Sequence, residues 1–132
     1  MQLNITTDYA IRIVRYLAIK AELTTVKEIS EEMVIPENYI NKIARKLKEA
    51  GIINTYNGAK GGYELRKHPN EITILDIVKV MEKTIKINRC LEKDDYCSRG
   101  DVNTCSLYKY YRIIQSELEG KLGEITIENC MR

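Results

Sequence analysis

One nineteen-residue stretch constrains this chain more than any other: Ile35-Pro-Glu-Asn-Tyr-Ile-Asn-Lys-Ile-Ala-Arg-Lys-Leu-Lys-Glu-Ala-Gly-Ile-Ile53. It reads as a turn, a basic amphipathic helix, a glycine stop and a strand entrance. Pro36 suits the first turn of a helix, where its missing N–H leaves no bond unmade. Tyr39, Ile40, Ile43 and Leu47 form an apolar stripe at helical spacing, and Gly51 supplies the stop.

The neighbours of this stretch extend the pattern. Thr25-Val-Lys-Glu28 has the form of a capping box and opens a helix to Met33, with Ile29 and Met33 inward. Val34 and Ile35 then make a turn. Ile52 to Tyr56 and Tyr63 to Leu65 read as two short strands. The loop between them, Asn57-Gly-Ala-Lys-Gly-Gly62, holds three glycines that permit a tight tip. The order helix, turn, helix, wing is that of a winged helix-turn-helix, a DNA-binding architecture.

Outside this unit the signals are helical. Thr6 or Thr7 can cap a first helix to about Lys20, with Ala10, Ile13, Val14, Leu17 and Ala18 on one face. Thr73 can cap another, from Ile74 to about Lys83, with Leu75, Val78 and Met81 apolar. Residues 88–105 are polar and carry Asp94, Asp95 and Asp101, and little regular structure is expected there. From Ser106 the helical signal returns. Leu107, Tyr111, Ile114, Leu118 and Leu122 make a seam of the kind that pairs helices, so a homodimer is expected. The expected fold is mostly α with a small β wing. Its divisions are a winged-helix domain over 1–83, a cysteine-containing loop over 84–105, and a dimerisation helix and tail over 106–132.

Composition bounds the function classes. The chain is 132 residues long and 44% hydrophobic, enough for the core of one domain. No apolar run is long enough to cross a bilayer. The start lacks a secretory signal, so a soluble, cytoplasmic protein without membrane partners is expected. The net charge is only +2, but residues 1–70 carry eleven Lys and Arg against eight Asp and Glu. The basic half is the half with the helix-turn-helix pattern, which suits phosphate neutralisation. No nucleophile and base can be placed together, so no enzyme is expected.

A helix in the major groove exposes polar side chains opposite its core stripe. Here that face offers Asn38, Asn41, Lys42, Arg45 and Lys46. Asn38 and Asn41 lie nearest the helix start and suit base edges. Lys42, Arg45 and Lys46 suit phosphate. At the wing tip Asn57 and Lys60 can reach the minor groove or the flanking backbone. The expected partner is double-stranded DNA with a two-fold symmetric operator.

Cys90, Cys97 and Cys105 fall within sixteen residues, and Cys130 stands apart. Without a secretory signal, metal binding or redox sensing is favoured over disulfides. No pair has the two-residue gap of a zinc knuckle. Three thiolates form a soft site suited to an iron–sulfur cluster or zinc, and idle reduced cysteines remain an alternative. His68, the single histidine, precedes Pro69 beyond the wing.

Asp8-Tyr-Ala-Ile-Arg12, Ile35-Pro-Glu-Asn-Tyr-Ile40, Leu47-Lys-Glu-Ala-Gly51, Gly61-Gly-Tyr63 and the three-cysteine loop together resemble the Rrf-two family, that of IscR- and NsrR-like regulators. The resemblance runs to about Glu128. It implies dimeric winged-helix transcription factors, many with an iron–sulfur cluster (2Fe-2S or 4Fe-4S) on three loop cysteines matched here by Cys90, Cys97 and Cys105. Some members add a histidine three residues after the last cysteine, where this chain has Tyr108. Others add an aspartate from the partner's first helix, a position matched by Asp8. IscR-like members carry a glutamate in the recognition helix and an arginine at the wing tip. Asn41 and Asn57 stand there, so no operator sequence is implied. The implied function is a transcriptional regulator sensing redox, nitric oxide or iron–sulfur status. A cluster-free repressor with a thiol switch is the alternative, and a small iron–sulfur electron carrier a weaker one.

Overall fold

Helix α1 spans Ile5–Lys20, α2 Val26–Met33 and α3 Glu37–Glu49 in the computed structural model, which describes all residues 1–132. Strands β1 (Ile53–Tyr56) and β2 (Gly62–Leu65) form the antiparallel wing, with Ile53 opposite Leu65 and Tyr56 opposite Gly62. Helix α4 covers Ile74–Met81, and α5, the longest, covers Ser106–Glu124. The expected class, mostly α with a small β wing, is the one observed.

The core lies where α1, α3, α4 and the base of the wing meet. Ala10, Ile13, Val14 and Leu17 from α1 pack with Ile40, Ile43 and Leu47 from α3, and with Ile53 and Ile77. Burying an isoleucine or leucine side chain stabilises by about 1.5–3 kcal/mol, so this cluster dominates the head's stability. Two expected details differ. Tyr39 is exposed, set edge-on to Tyr9 at 6.0 Å between ring centroids, and Ala44 takes a place in the α3 stripe. The small Ala44 lets α3 sit close to its neighbours, which a tyrosine could not.

The caps also differ in part. α1 begins at Asn4, whose Oδ1 accepts from the Thr6 amide at 3.2 Å. Thr7 is buried, and its hydroxyl donates to Glu82 at 3.0 Å. Glu82 also accepts from the Asn4 amide at 2.7 Å, so one carboxylate ties the start of α1 to the end of α4. Thr25 caps α2 as expected, but the Glu28 carboxylate does not fold back. It accepts from the Tyr16 hydroxyl at 2.7 Å, which pushes the Tyr16 pKa up to about 12. The reciprocal capping box is Thr73 with Asp76, at the start of α4. Gly51, at φ 75°, ends α3 as expected. Val34 closes α2 at φ 55° while 83% exposed, a left-handed conformation that is costly for a branched side chain.

The chain beyond α5 returns to the head, which the sequence pattern did not indicate. Thr126 bridges Thr73, the Ile74 amide donates to Ile125 O at 2.9 Å, and the Ile127 amide donates to Ile72 O at 2.8 Å. Ile127 is fully buried in the head's core, and Arg15 Nε donates to the Cys130 carbonyl. No helix is long and apolar enough to cross a membrane.

Candidate nucleic-acid interface and cysteine cavity

A groove of about 810 Å³ opens between α3, the start of α2 and the wing. Asn41 and Arg45 line it from α3, and Asn57 lines it from the wing. Asn38, Lys42, Lys46 and Lys60 are exposed beside it. The groove also takes in Thr25, Lys27, Lys48, Thr55 and Tyr56, which the sequence reading did not single out. Lys48 could have been found there, three residues after Arg45. Lys27 could not, because its place depends on how α2 meets the wing.

The wing is built to approach α2. Thr24 and Tyr63 exchange backbone hydrogen bonds of 2.9 and 2.8 Å. A Cβ on Gly62 would stand 2.2 Å from Thr24 O, so only glycine fits. The Tyr63 hydroxyl then donates to Asn41 Oδ1 at 2.7 Å. Desolvation raises the Tyr63 pKa further above its already high ordinary value. Tyr56 donates similarly to Glu64 at 2.8 Å within the wing.

At the other end of the molecule, Cys90, Cys97 and Cys105 line one cavity of about 270 Å³, together with Arg89, Val102 and Tyr108. Cys90 is buried in a short 3-10 turn, Arg89–Leu91, and accepts from Asn88 Nδ2 at 3.2 Å. Cys105 immediately precedes α5. All four cysteines are free, and Cys130 lies apart in the returning tail. The donor set suits a soft metal or an iron–sulfur cluster. As arranged, no three Cys, His, Asp or Glu side chains are gathered closely enough to hold a metal ion.

The loop is more ordered than its polarity implied. A second 3-10 turn, Val102–Thr104, buries Val102. Arg89 pairs with Asp94 through both terminal guanidinium nitrogens and lies over the Tyr96 ring at 5.1 Å. The Arg89 hydrogen bond holds the Asp94 pKa down at about 2. Burial, followed by its bond to Asp95, raises the Tyr108 pKa. The segment between α4 and the cysteines is braced by Gln115, the one buried residue of α5. It accepts from the Ile87 amide at 2.8 Å and donates to Ile85 O at 3.0 Å.

Asp8 is elsewhere, on the first turn of α1, paired with Arg12 at 2.7 Å and not lining the cysteine cavity of its own chain. Along α5, Leu107, Ile114 and Leu118 are exposed at 57, 49 and 36%, beside Tyr110 and Ile113, while Tyr111 and Leu122 are half-buried.

A helix-turn-helix with a basic, outward second helix and a glycine-tipped wing defines a winged-helix DNA-binding regulator. The chain belongs to the Rrf2 family, described as "Iron-dependent Transcriptional regulator", whose model matches residues 3–132. It is 35% identical over 109 residues to the HTH-type transcriptional regulator NsrR of Shouchella clausii (strain KSM-K16), covering 81% of this chain and 68% of that one. Its fold matches that of CymR (YrzC), described as the global cysteine regulator of B. subtilis, with a TM-score of 0.80 at 25% identity over 99% of this chain and 96% of that one. It likewise matches T. potens IscR, with a TM-score of 0.76 at 21% identity over 99% and 86% of the two chains. The relatives are DNA-binding transcriptional regulators rather than enzymes, and the electron-carrier alternative is set aside.

Proposed function

We propose that this protein is a homodimeric regulator that reads a two-fold symmetric operator and senses redox, nitric oxide or iron–sulfur status at its three-cysteine loop. The observation that carries the sensing half is the convergence of Cys90, Cys97 and Cys105 on one cavity. These thiolates would hold an iron–sulfur cluster, with Asp8 supplied by the partner subunit as a fourth, more easily displaced ligand. A cluster supplies a centre that reacts with oxidants and nitric oxide. The chain's own part is to hold the thiols, and to link loop order to α5 through Gln115. Ligation offsets the entropy of fixing the loop, so occupancy and loop order are coupled.

The exposed apolar residues of α5 support dimerisation, with Leu107, Tyr111, Ile114, Leu118 and Leu122 at the pairing seam. In the interface, Asn38 and Asn41 read base edges, Lys42, Arg45 and Lys46 bind phosphate, and Asn57 and Lys60 act from the wing. The visible spectrum of anaerobically prepared protein, with iron and sulfide counts, tests the sensor. Colour lost on Cys90→Ala, Cys97→Ala or Cys105→Ala but kept on Cys130→Ala is the expected pattern. Asp8→Ala should keep a cluster with an altered spectrum. Reconstitution without iron or sulfide uptake would leave the second reading, a cluster-free thiol switch. That reading draws on the same free thiols.

A further inference from the structure

The Gly61-Gly-Tyr63 segment has a task beyond shaping the wing. We propose that Tyr63 is a positioning residue for sequence readout: its hydroxyl anchors the Asn41 amide at a fixed place beside the groove. The proposal rests on the reading of α3 as the recognition helix.

An unconstrained asparagine can turn its amide to offer either a donor or an acceptor to a base edge. It can therefore serve adenine, which presents one of each, and it discriminates poorly when free to turn. Asn41 is not free. The Tyr63 hydroxyl donates to its Oδ1 at 2.7 Å. The bond holds the amide against the wing, so the side chain cannot leave this position without losing a partner. With Oδ1 on the phenol, Nδ2 is the end left to donate into the groove, towards an acceptor such as purine N7. The second lone pair of Oδ1 remains for an adenine amino group.

The phenol is itself held from behind. Tyr63 shares two backbone hydrogen bonds with Thr24, which is buried. It also stands opposite Thr55 in the wing ladder. The close approach at Gly62 sets the distance from β2 to Thr24. The wing thus acts on specificity through a protein–protein hydrogen bond, whatever its tip touches.

The test is selection of binding sites from a randomised duplex library by full-length wild type, Tyr63→Phe, Asn41→Ala and the double variant, with thermal melting as a fold control. Tyr63→Phe keeps the ring and both backbone bonds. Wild type should prefer a purine at one position of each half-site. Asn41→Ala should abolish that preference, and Tyr63→Phe should weaken it about threefold to tenfold at that position alone. The double variant should match Asn41→Ala. If Asn41→Ala erases the preference and Tyr63→Phe leaves it intact, the proposal fails while the recognition-helix reading stands. A Tyr63→Phe protein weakened equally on all sequences would also overturn it. If Asn41→Ala changes no position, the reading beneath the proposal fails, and the proposal with it.

Discussion

The DNA-binding head and the cysteine loop are held together by opposite means. In the head, side chains from α1, α3, α4, the wing and the returning tail share one apolar cluster. In the loop from residue 88 to 105, only Cys90 and Val102 are buried. Its order comes from polar ties: Arg89 to Asp94, Tyr108 to Asp95, Asn88 to Cys90. Apolar burial is cooperative and hard to loosen piecemeal. Exposed polar ties each contribute little and can be exchanged for others. A scaffold that must keep its shape on DNA and a loop proposed to respond to a small signal call for these two kinds of cohesion.

Four measurements would break or sharpen this contrast. The largest effect is expected from Ile127→Ala. Although it lies beyond α5, it should destabilise the head by about 2–5 kcal/mol in denaturant unfolding, because it empties a fully buried site. A cost under about 1 kcal/mol would show that the tail is not part of the head's core.

Gln115→Leu comes next. It leaves the Ile87 amide and the Ile85 carbonyl without partners, at a cost of about 1–3 kcal/mol. Faster hydrogen exchange should appear at Ile87, with the α1 and α3 amides unchanged. Exchange rising equally in the head would mean that the two regions unfold as one.

Val34→Gly should have the reverse sign, stabilising the head by about 1 kcal/mol, since it relieves a left-handed valine that buries little surface. A lower melting temperature would reveal a contact for Val34 that outweighs its backbone cost.

The smallest effect concerns acid. The Asp94 carboxyl is depressed from 3.8 to about 2 in the folded loop, so its contribution is complete above the ordinary value and is lost as pH falls through about 2. The pair is exposed, so the change should be confined to the loop and screened by salt. Tyr96 ring signals should shift over that range in wild type and not in Asp94→Asn.

Much of the head was legible because its signals are local. The α3 stripe, Gly51 and the glycine wing need no knowledge of distant partners. The misreadings arose where distant partners decide. Thr7 was a good cap on paper, but Glu82 claims its hydroxyl across the core, and Asn4 caps instead. Tyr39 fits the helical period, yet the space is too small and falls to Ala44. The tail's return depends on two backbone bonds, to Ile72 and to the first residue of α4, which no side-chain pattern announces. At the candidate site, the cysteine spacing named the residues, while their shared cavity needed the fold. The Tyr63–Asn41 bond spans 22 positions and could not be read from either motif.

The returning tail has a mechanical meaning. The segment that holds the cysteines and α5 leaves the head at Glu82, after the last turn of α4, and rejoins it at Ile125, beside the first. Both junctions are tied, one through Glu82 to α1 and the other through the Thr73–Thr126 bridge. The two junctions act as pins on one line, and α5 packs against α4 as well. That line runs along α4, whose eight residues set the pins about 12 Å apart. Under the proposed sensor function, a rearrangement at the cysteines would reach the head only through these two junctions and the packing of α5 on α4.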